Sequence, residues 1–165
     1  MLEALTTEDP SAPTPAPEFR RMEPFIGTWL LEGEQFETEI GPACTVEALE
    51  TFEWLTGGHF VVHRFEGRVG DEPAACIEVI GYDAARGEHP ARSFYNDGRT
   101  SDWRLRETGD SWTLTGEWDG ASGPMAVRCT TSFAEGGGMR TSRWEYANPG
   151  GEWTVFWDVR ATKSS

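Results

Sequence analysis

The sequence predicts an all-β protein, a single ten-stranded antiparallel barrel of up-and-down (meander) topology. Three observations predict it. Apolar and polar residues alternate with a period of two, no long stretch has the 3.6-residue period of an amphipathic helix, and short turn-forming segments separate the alternating runs. Strands joined by short turns pair antiparallel, and closure into a barrel removes unpaired edges. A two-layer sandwich is the alternative, although the chain lacks the long connections of a Greek key.

The first 17 residues are predicted to form a disordered or extended head, because they carry prolines at positions 10, 13, 15 and 17 and few large apolar groups. The barrel domain is expected over residues 18–165. Its first segment, Glu18–Phe25, is predicted to make a short helical turn before the first strand.

The strand boundaries follow from the turn residues between the alternating runs. Before the Asn96–Gly98 turn, whose Asn and Gly accept positive φ, five strands are predicted: Gly27–Glu39, Cys44–Leu55, His59–Val69, Ala75–Tyr82 and Ala91–Tyr95. Five more are predicted after it: Ser101–Arg106, Ser111–Trp118, Met125–Phe133, Met139–Tyr146 and Glu152–Thr162.

Composition excludes several classes of partner. The chain has 28 acidic and 14 basic side chains, a net charge of −14, which argues against nucleic acid and against anionic membrane surfaces. No apolar run is long enough for a transmembrane helix, and the N-terminus does not resemble a secretory signal. The three cysteines are far apart in the sequence and form no zinc or redox motif, so we expect reduced thiols in a cytoplasmic protein.

A barrel of ten strands has room for a guest, because eight-stranded barrels are already nearly filled by their own side chains. The eight Trp, nine Phe and three Tyr residues would supply the walls of an apolar cavity. The alternative is that these aromatic side chains simply fill the interior. Both faces of most strands mix apolar and polar groups, so the sequence does not fix which face points inward.

The start of the first strand resembles the Gly-x-Trp signature of the calycins, the superfamily of lipocalins and fatty-acid-binding proteins. The matching residues are Gly27, Thr28 and Trp29. In that superfamily the Trp closes one end of the barrel and an Arg of the last strand packs across it. The resemblance therefore implies a structural closure made by Gly27, Trp29 and Arg160.

The rest of the chain resembles an uncharacterised bacterial family of nitrobindin-related barrels over roughly residues 22–163. The matching segments are FIGTWLLEGEQFE, EWLTGGHFVVHRFEGRVG, IEVIGYDAARGEH, YNDGRTSDW, LTGEWDG and VRATK. Nitrobindins hold haem through a His near the end of the barrel, whereas this chain has no His after Arg140. We therefore expect no haem, and no other cofactor is predicted.

The resemblance and the residue types together nominate the ligand-binding side chains. Interior arginines of fatty-acid-binding proteins hold a carboxylate, which makes two strand arginines candidates. His59 and His63 would lie about 13 Å apart on one strand, too far to share a metal ion. Glu53 and Glu78 are candidate buried carboxylates, though exposure is the default for both. The predicted ligand-binding set is His63, Tyr95, Trp103, Arg128, Arg143, Trp144 and Trp157.

The expected function is the binding of a small, largely apolar molecule inside the barrel. An enzyme, such as a cyclase or isomerase acting on an apolar metabolite in the same cavity, is the first alternative. The second is an interaction protein with a filled core, and a homodimer through an exposed strand or aromatic patch is left open.

Overall fold

The computed structural model describes residues 13–164 and is a closed barrel of ten antiparallel strands. Each strand pairs with the next along the chain, and the first pairs with the last. This confirms the predicted all-β meander barrel. The strands are β1 (Gly27–Gln35), β2 (Cys44–Trp54), β3 (Val61–Val69), β4 (Glu72–Ile80), β5 (His89–Tyr95), β6 (Thr100–Thr108), β7 (Ser111–Gly120), β8 (Gly123–Phe133), β9 (Met139–Ala147) and β10 (Thr154–Lys163).

A 3-10 helix, Pro17–Phe25, precedes the barrel and confirms the predicted helical segment. Most of the predicted head, residues 1–12, lies outside the described residues. Just before the helix, the carbonyl of Pro13 accepts a hydrogen bond from His59 Nε2 at 2.7 Å, which ties the chain to the turn between β2 and β3. No helix within residues 13–164 combines the length and the hydropathy of a membrane span.

The first strand is shorter than its sequence pattern suggests. It ends at Gln35 rather than at Glu39, because its pairing with β2 ends at Gln35 and Cys44. The next amide, of Phe36, instead donates to the carbonyl of Phe156 at 2.9 Å, and the chain then turns through an isolated bridge between Thr38 and Gly41.

One half of the interior, the closed half, is filled by the 3-10 helix. Phe19, Met22 and Phe25 of the helix are buried and pack against inward-facing side chains at the adjacent strand ends. Phe25, for example, makes edge-to-face contacts with Trp112 and Phe133, at ring-centroid distances of 5.3 and 5.0 Å. This packing removes one end of the barrel from water and leaves the other end as the place for a site.

Candidate ligand site inside the barrel

A chain of polar side chains crosses the interior beside the closed half. Arg140 Nη2 donates to Glu50, whose other oxygen lies 3.1 Å from His63 Nε2. His63 Nδ1 lies 3.5 Å from Glu78, and the hydroxyl of Ser93 donates to the same carboxylate at 2.5 Å. The indole N–H of Trp103 donates to Ser93 at 3.0 Å. We call these six side chains, on β9, β2, β3, β4, β5 and β6, the polar ladder.

The imidazole of His63 is charged at neutral pH. Burial alone would lower its pKa, but the hydrogen bonds and charges of Glu50 and Glu78 raise the pKa to about 9. Burial likewise favours a raised pKa for Glu50, yet the charges of Arg140 and His63 hold that pKa below its usual value. The His63 ring also stacks on Phe52, with centroids 4.0 Å apart. The ladder is therefore a mutually neutralised set of buried charges.

The other half of the interior, the open half, is lined by aromatic side chains that keep part of their surface exposed. Four of them face inward yet are only half-buried: Phe65, Trp118, Trp144 and Trp157. Trp144 contacts Trp157 edge-to-face at 6.3 Å, and the indole N–H of Trp157 donates to Gln35 at 2.8 Å. Rigid aromatic walls with a few polar groups are the usual lining of a small-molecule cavity.

The barrel wall has a gap between β6 and β7. The two strands pair from Trp103 and Gly116 as far as Thr108 and Ser111, although β6 begins at Thr100 and β7 continues to Gly120. A cavity of about 1010 Å³ occupies the gap. Its lining alternates between inward-facing and outward-facing side chains of the two strands: Ser101, Trp103 and Trp118 on one side, Asp102, Arg104 and Glu117 on the other. We call this cavity the lateral opening.

Five of the seven predicted ligand-binding residues face the interior. His63 and Trp103 belong to the polar ladder, and Trp144 and Trp157 line the open half. Tyr95 is half-buried beside Ser101 and Ser93, and burial raises the pKa of its hydroxyl. The structure thus brings these five side chains into one lumen, while their role in binding stays a prediction.

The two predicted arginines, Arg128 and Arg143, point away from the lumen, so the expectation that they anchor a ligand inside is wrong. Arg128 pairs with Glu145 at 2.7 Å and stacks over Trp153, 4.1 Å from the ring centroid. Arg143 pairs with Asp158 at 2.7 Å on the outer surface. Both belong to the outward-facing set of their strands, whose alternating neighbours face the lumen.

Trp29 lies in the closed half, as the calycin resemblance implies, but Arg160 does not cover it. Trp29 is fully buried and its indole N–H donates to the Phe25 carbonyl at 2.7 Å. Arg160 is exposed and pairs with Glu32 at 2.6 Å on the outer surface, which corrects the expectation. The cations over the Trp29 ring are Arg140 and Lys163, 5.1 and 5.3 Å from its centroid. Gly27 begins β1 with φ +131°, and a side chain there would collide with Lys163.

The sequence reasoning missed the most buried charges of the interior. Arg140 and Glu50 were not nominated, and Glu78 was assigned exposure by default, yet all three are buried. Glu53, the other candidate carboxylate, is exposed and lies 3.6 Å from Arg64. A signal was present, because Arg140 alternates with Ser142, Trp144 and Tyr146, a small-polar and aromatic face typical of a barrel lumen.

The interior offers little for covalent or metal chemistry. Burial, with the nearby charges of Glu78 and Glu50, raises the pKa of Cys76 to about 12, and burial raises the pKa of Cys129 to about 12 as well. Both thiols are therefore un-ionised and poor nucleophiles at neutral pH. Across residues 13–164, no three His, Cys, Asp or Glu side chains are grouped so that they could hold a metal ion.

Comparison with known proteins identifies a family and a fold. Residues 14–163 match the model of a family described as "Protein of unknown function (DUF1579)". The chain is also similar to the crystal structure of Rv2717c from M. tuberculosis, with a TM-score of 0.67 and 13% identity. That alignment covers 92% of this chain and 99% of Rv2717c, and at this identity it shows a shared fold. No curated protein matches the chain.

Proposed function

The chain belongs to the DUF1579 family, and we propose that its barrel binds a small, largely apolar molecule in the open half of the lumen. The observation that carries the proposal is the exposure of inward-facing aromatic side chains. Trp118, Trp144 and Trp157 point into the barrel but remain only half-buried. In the closed half the same residue types are covered by the 3-10 helix. A ligand in the open half would cover these side chains, as the 3-10 helix covers those of the closed half.

The energetic basis is the removal of apolar surface from water. A ligand burying about 300 Å² of apolar surface gains about 7.5 kcal/mol at about 25 cal/mol per Å², before the cost of association is subtracted. The Tyr95 hydroxyl lies beside Ser93 of the polar ladder and beside Ser101, which lines the lateral opening. The hydroxyls of Tyr95 and Ser101 would fix the orientation of one polar group on the ligand.

The polar ladder itself favours a second candidate, acid–base catalysis on a bound ligand. A buried His between two carboxylates is the kind of group that enzymes use. However, both ring nitrogens of His63 already face carboxylates, and a pKa of about 9 keeps the imidazole protonated, so His63 itself is not a general base at neutral pH. The same engagement leaves His63 no free nitrogen for a haem iron. We therefore favour ligand binding, with the polar ladder as the floor of the site, that is, its boundary toward the closed half.

We further propose that the barrel is a calycin and that the protein is cytoplasmic. We assign the barrel to the calycins, near the nitrobindin-related proteins, on the strength of Gly27, Thr28 and Trp29 at the closed end. A cytoplasmic location is supported by the free thiols of Cys44, Cys76 and Cys129, since such thiols are typical of reducing compartments.

Titration with N-phenyl-1-naphthylamine, an uncharged probe that fluoresces in apolar surroundings, tests the proposal. We expect saturable binding, and we expect Trp144→Ala to weaken it about tenfold because a wall of the site is lost. The matched control is Trp153→Ala, which removes an exposed Trp on the outer surface and should leave binding unchanged.

Two outcomes would contradict the proposal. Either the probe fails to bind, or it binds with the same affinity to both Trp variants. Native mass spectrometry of the protein purified from its own host would then look for a retained small molecule, whose presence identifies the natural ligand class.

A further inference from the structure

We infer that the ligand lies in the lateral opening between β6 and β7 and extends from it into the open half of the lumen, and that it is an uncharged amphiphile. This inference rests on the proposed binding function and names the position of the ligand and its chemical class. The two parts have separate structural support, the first in the backbone of the opening and the second in the charges that surround it.

The lateral opening passes through the barrel wall. Side chains alternate between the two faces of a strand, and residues of both faces line this cavity at the point where the two strands stop pairing, which supports an opening through the sheet. Within the described residues, Thr100–Asp102 and Glu117–Asp119 are in strand conformation but have no partner across the gap. Each is held from its other side, by β5 and by β8 respectively. The gap is therefore framed by ordered backbone on both edges.

The opening leads directly to the polar ladder. Trp103 lies at its inner margin, where the last paired residues of β6 and β7 meet. The indole N–H of Trp103 is held by Ser93, and Ser93 is held by Glu78. Ser101 faces the same cavity and lies beside the Tyr95 hydroxyl. A molecule in the opening thus meets aromatic surface and neutral hydroxyl groups.

Charges around the opening disfavour an anion. Of the lining arginines, Arg99 pairs with Asp97 at 2.7 Å, and Arg104 shares the buried Glu88 with Arg106, at 2.6 and 2.5 Å. Glu117 and Asp119 are exposed on the opposite edge, and neither has an ion-pair partner among residues 13–164. The two guanidiniums that share Glu88 leave one excess positive charge, whereas Glu117 and Asp119 add two negative charges, so an approaching carboxylate would meet net negative charge.

The charges inside the barrel also disfavour an anionic ligand. Arg140 and His63 are the cations of the polar ladder, and both are engaged by Glu50, with Glu78 on the second nitrogen of His63. Among residues 13–164 the Nε–H of Arg140 is buried without a hydrogen-bond partner, but the guanidinium lies over Trp29 and Phe52 in the closed half. A carboxylate in the open half would lose its hydration and find both cations already facing carboxylates, which is costly in an apolar lumen. An uncharged molecule with one hydrogen-bonding group has no such cost.

A pair of probes that share one aromatic core tests the inference. N-phenyl-1-naphthylamine is uncharged, and 1-anilinonaphthalene-8-sulfonate is the same core with a sulfonate. At low salt we expect the uncharged probe to bind about tenfold more tightly than the sulfonate. This preference should shrink at high salt, because salt screens the charges of Glu117 and Asp119 on the rim of the lateral opening. Equal or tighter binding of the sulfonate would overturn the ligand class.

Reversing the two acidic charges on the rim of the lateral opening tests whether they cause the preference for the uncharged probe. The double variant Glu117→Lys/Asp119→Lys should tighten sulfonate binding severalfold and leave the uncharged probe nearly unchanged. The control, Glu47→Lys/Glu66→Lys, makes the same change in net charge at exposed positions of β2 and β3, away from the opening. All four side chains are exposed, so both variants should fold.

Filling the opening with a larger side chain tests whether the ligand lies there. Ser101→Phe places a ring in the cavity and should weaken the uncharged probe at least about tenfold, whereas Thr113→Phe, on the outward face of β7, should not. If the probe binds but neither Ser101→Phe nor the rim variant alters any affinity, the opening is not the site, although the binding function survives. If the probe does not bind at all, the proposed function itself fails.

Discussion

The closed and open halves of the lumen are built from the same residue types but differ in what covers them. In the closed half Trp29 and Met22 have no measurable exposure, because the 3-10 helix lies across that end. In the open half Trp118, Trp144 and Trp157 face the same lumen and remain half-buried. An inward-facing Trp is thus fully buried where another segment of chain covers it, and keeps exposed surface where none does.

The two halves should also differ in what a substitution changes, the stability of the fold or the binding of a ligand. Side chains of the closed half have left water on folding and cannot be removed without a cavity or an unpaired charge. Those of the open half have gained only part of that burial. Substitutions in the closed half should therefore act on the free energy of unfolding, and substitutions in the open half mainly on ligand affinity.

The largest expected effect is that of Arg140→Ala in the closed half. The substitution leaves the buried carboxylate of Glu50 with one fewer cation and removes the guanidinium from the Trp29 ring. We expect the free energy of unfolding, measured by urea denaturation, to fall by about 3–5 kcal/mol.

Arg160→Ala is the matched control. Its exposed pair with Glu32 predicts a change of no more than about 0.5 kcal/mol. If Arg160→Ala lowers the free energy of unfolding strongly and Arg140→Ala lowers it only slightly, then Arg160 stabilises the closed end, as the calycin resemblance suggested.

The two arginines also show how far the sequence alone can be followed. Alternation and turn chemistry predicted ten strands, their order and their closure, since these depend on local patterns. The inward face of a strand is a weaker signal where both faces carry apolar groups. On β10 a register shift between Val155 and Trp157 places both Phe156 and Trp157 against the core. Beyond the shift the alternation is regular and points Arg160 outward, so the resemblance, and not the pattern, suggested the wrong place for Arg160.

The polar ladder and the lateral opening were less predictable for a different reason. Glu50, His63 and Glu78 meet because three strands bring them into register, and a glutamate on a strand is most often exposed. The gap depends on where the pairing of β6 and β7 stops, which no local pattern in either strand reports. Five of the seven nominated residues do face the lumen, because aromatic residues and His are common on such faces.

The second effect is a pH dependence set by His63, at the boundary of the two halves. Its pKa rises from 6.5 to about 9 on folding, so the stabilisation is fully present below about pH 6.5 and is lost as the pH rises through about 9. We expect unfolding free energy to fall by about 3 kcal/mol across this window, since one unit of pKa is about 1.4 kcal/mol.

Urea denaturation at a series of pH values measures this loss. His59→Gln is the control, because His59 is exposed, its Nε2 bonds the Pro13 carbonyl, and it is not part of the polar ladder. That variant should keep the wild-type profile. A flat profile between pH 6.5 and 9 in the wild type would mean that His63 is uncharged and the ladder is not ionic.

The smallest effect is expected from Gly116→Ala, at the margin of the lateral opening. A Cβ at this position would lie 2.5 Å from the Trp103 ring and 2.8 Å from the Asp102 carbonyl, so the indole must move. Such overpacking costs about 1–3 kcal/mol. Because Trp103 is also held by Ser93, its displacement should change probe affinity and Trp fluorescence together.

Gly138→Ala is the matched control, since a Cβ there meets nothing within 4 Å and the backbone needs no positive φ. It should leave stability and probe binding unchanged. If Gly116→Ala lowers stability but leaves probe affinity as it was, Trp103 belongs functionally to the closed half and the boundary between the two halves lies nearer to Trp118. If both quantities change, Trp103 couples the floor of the site to the opening above it.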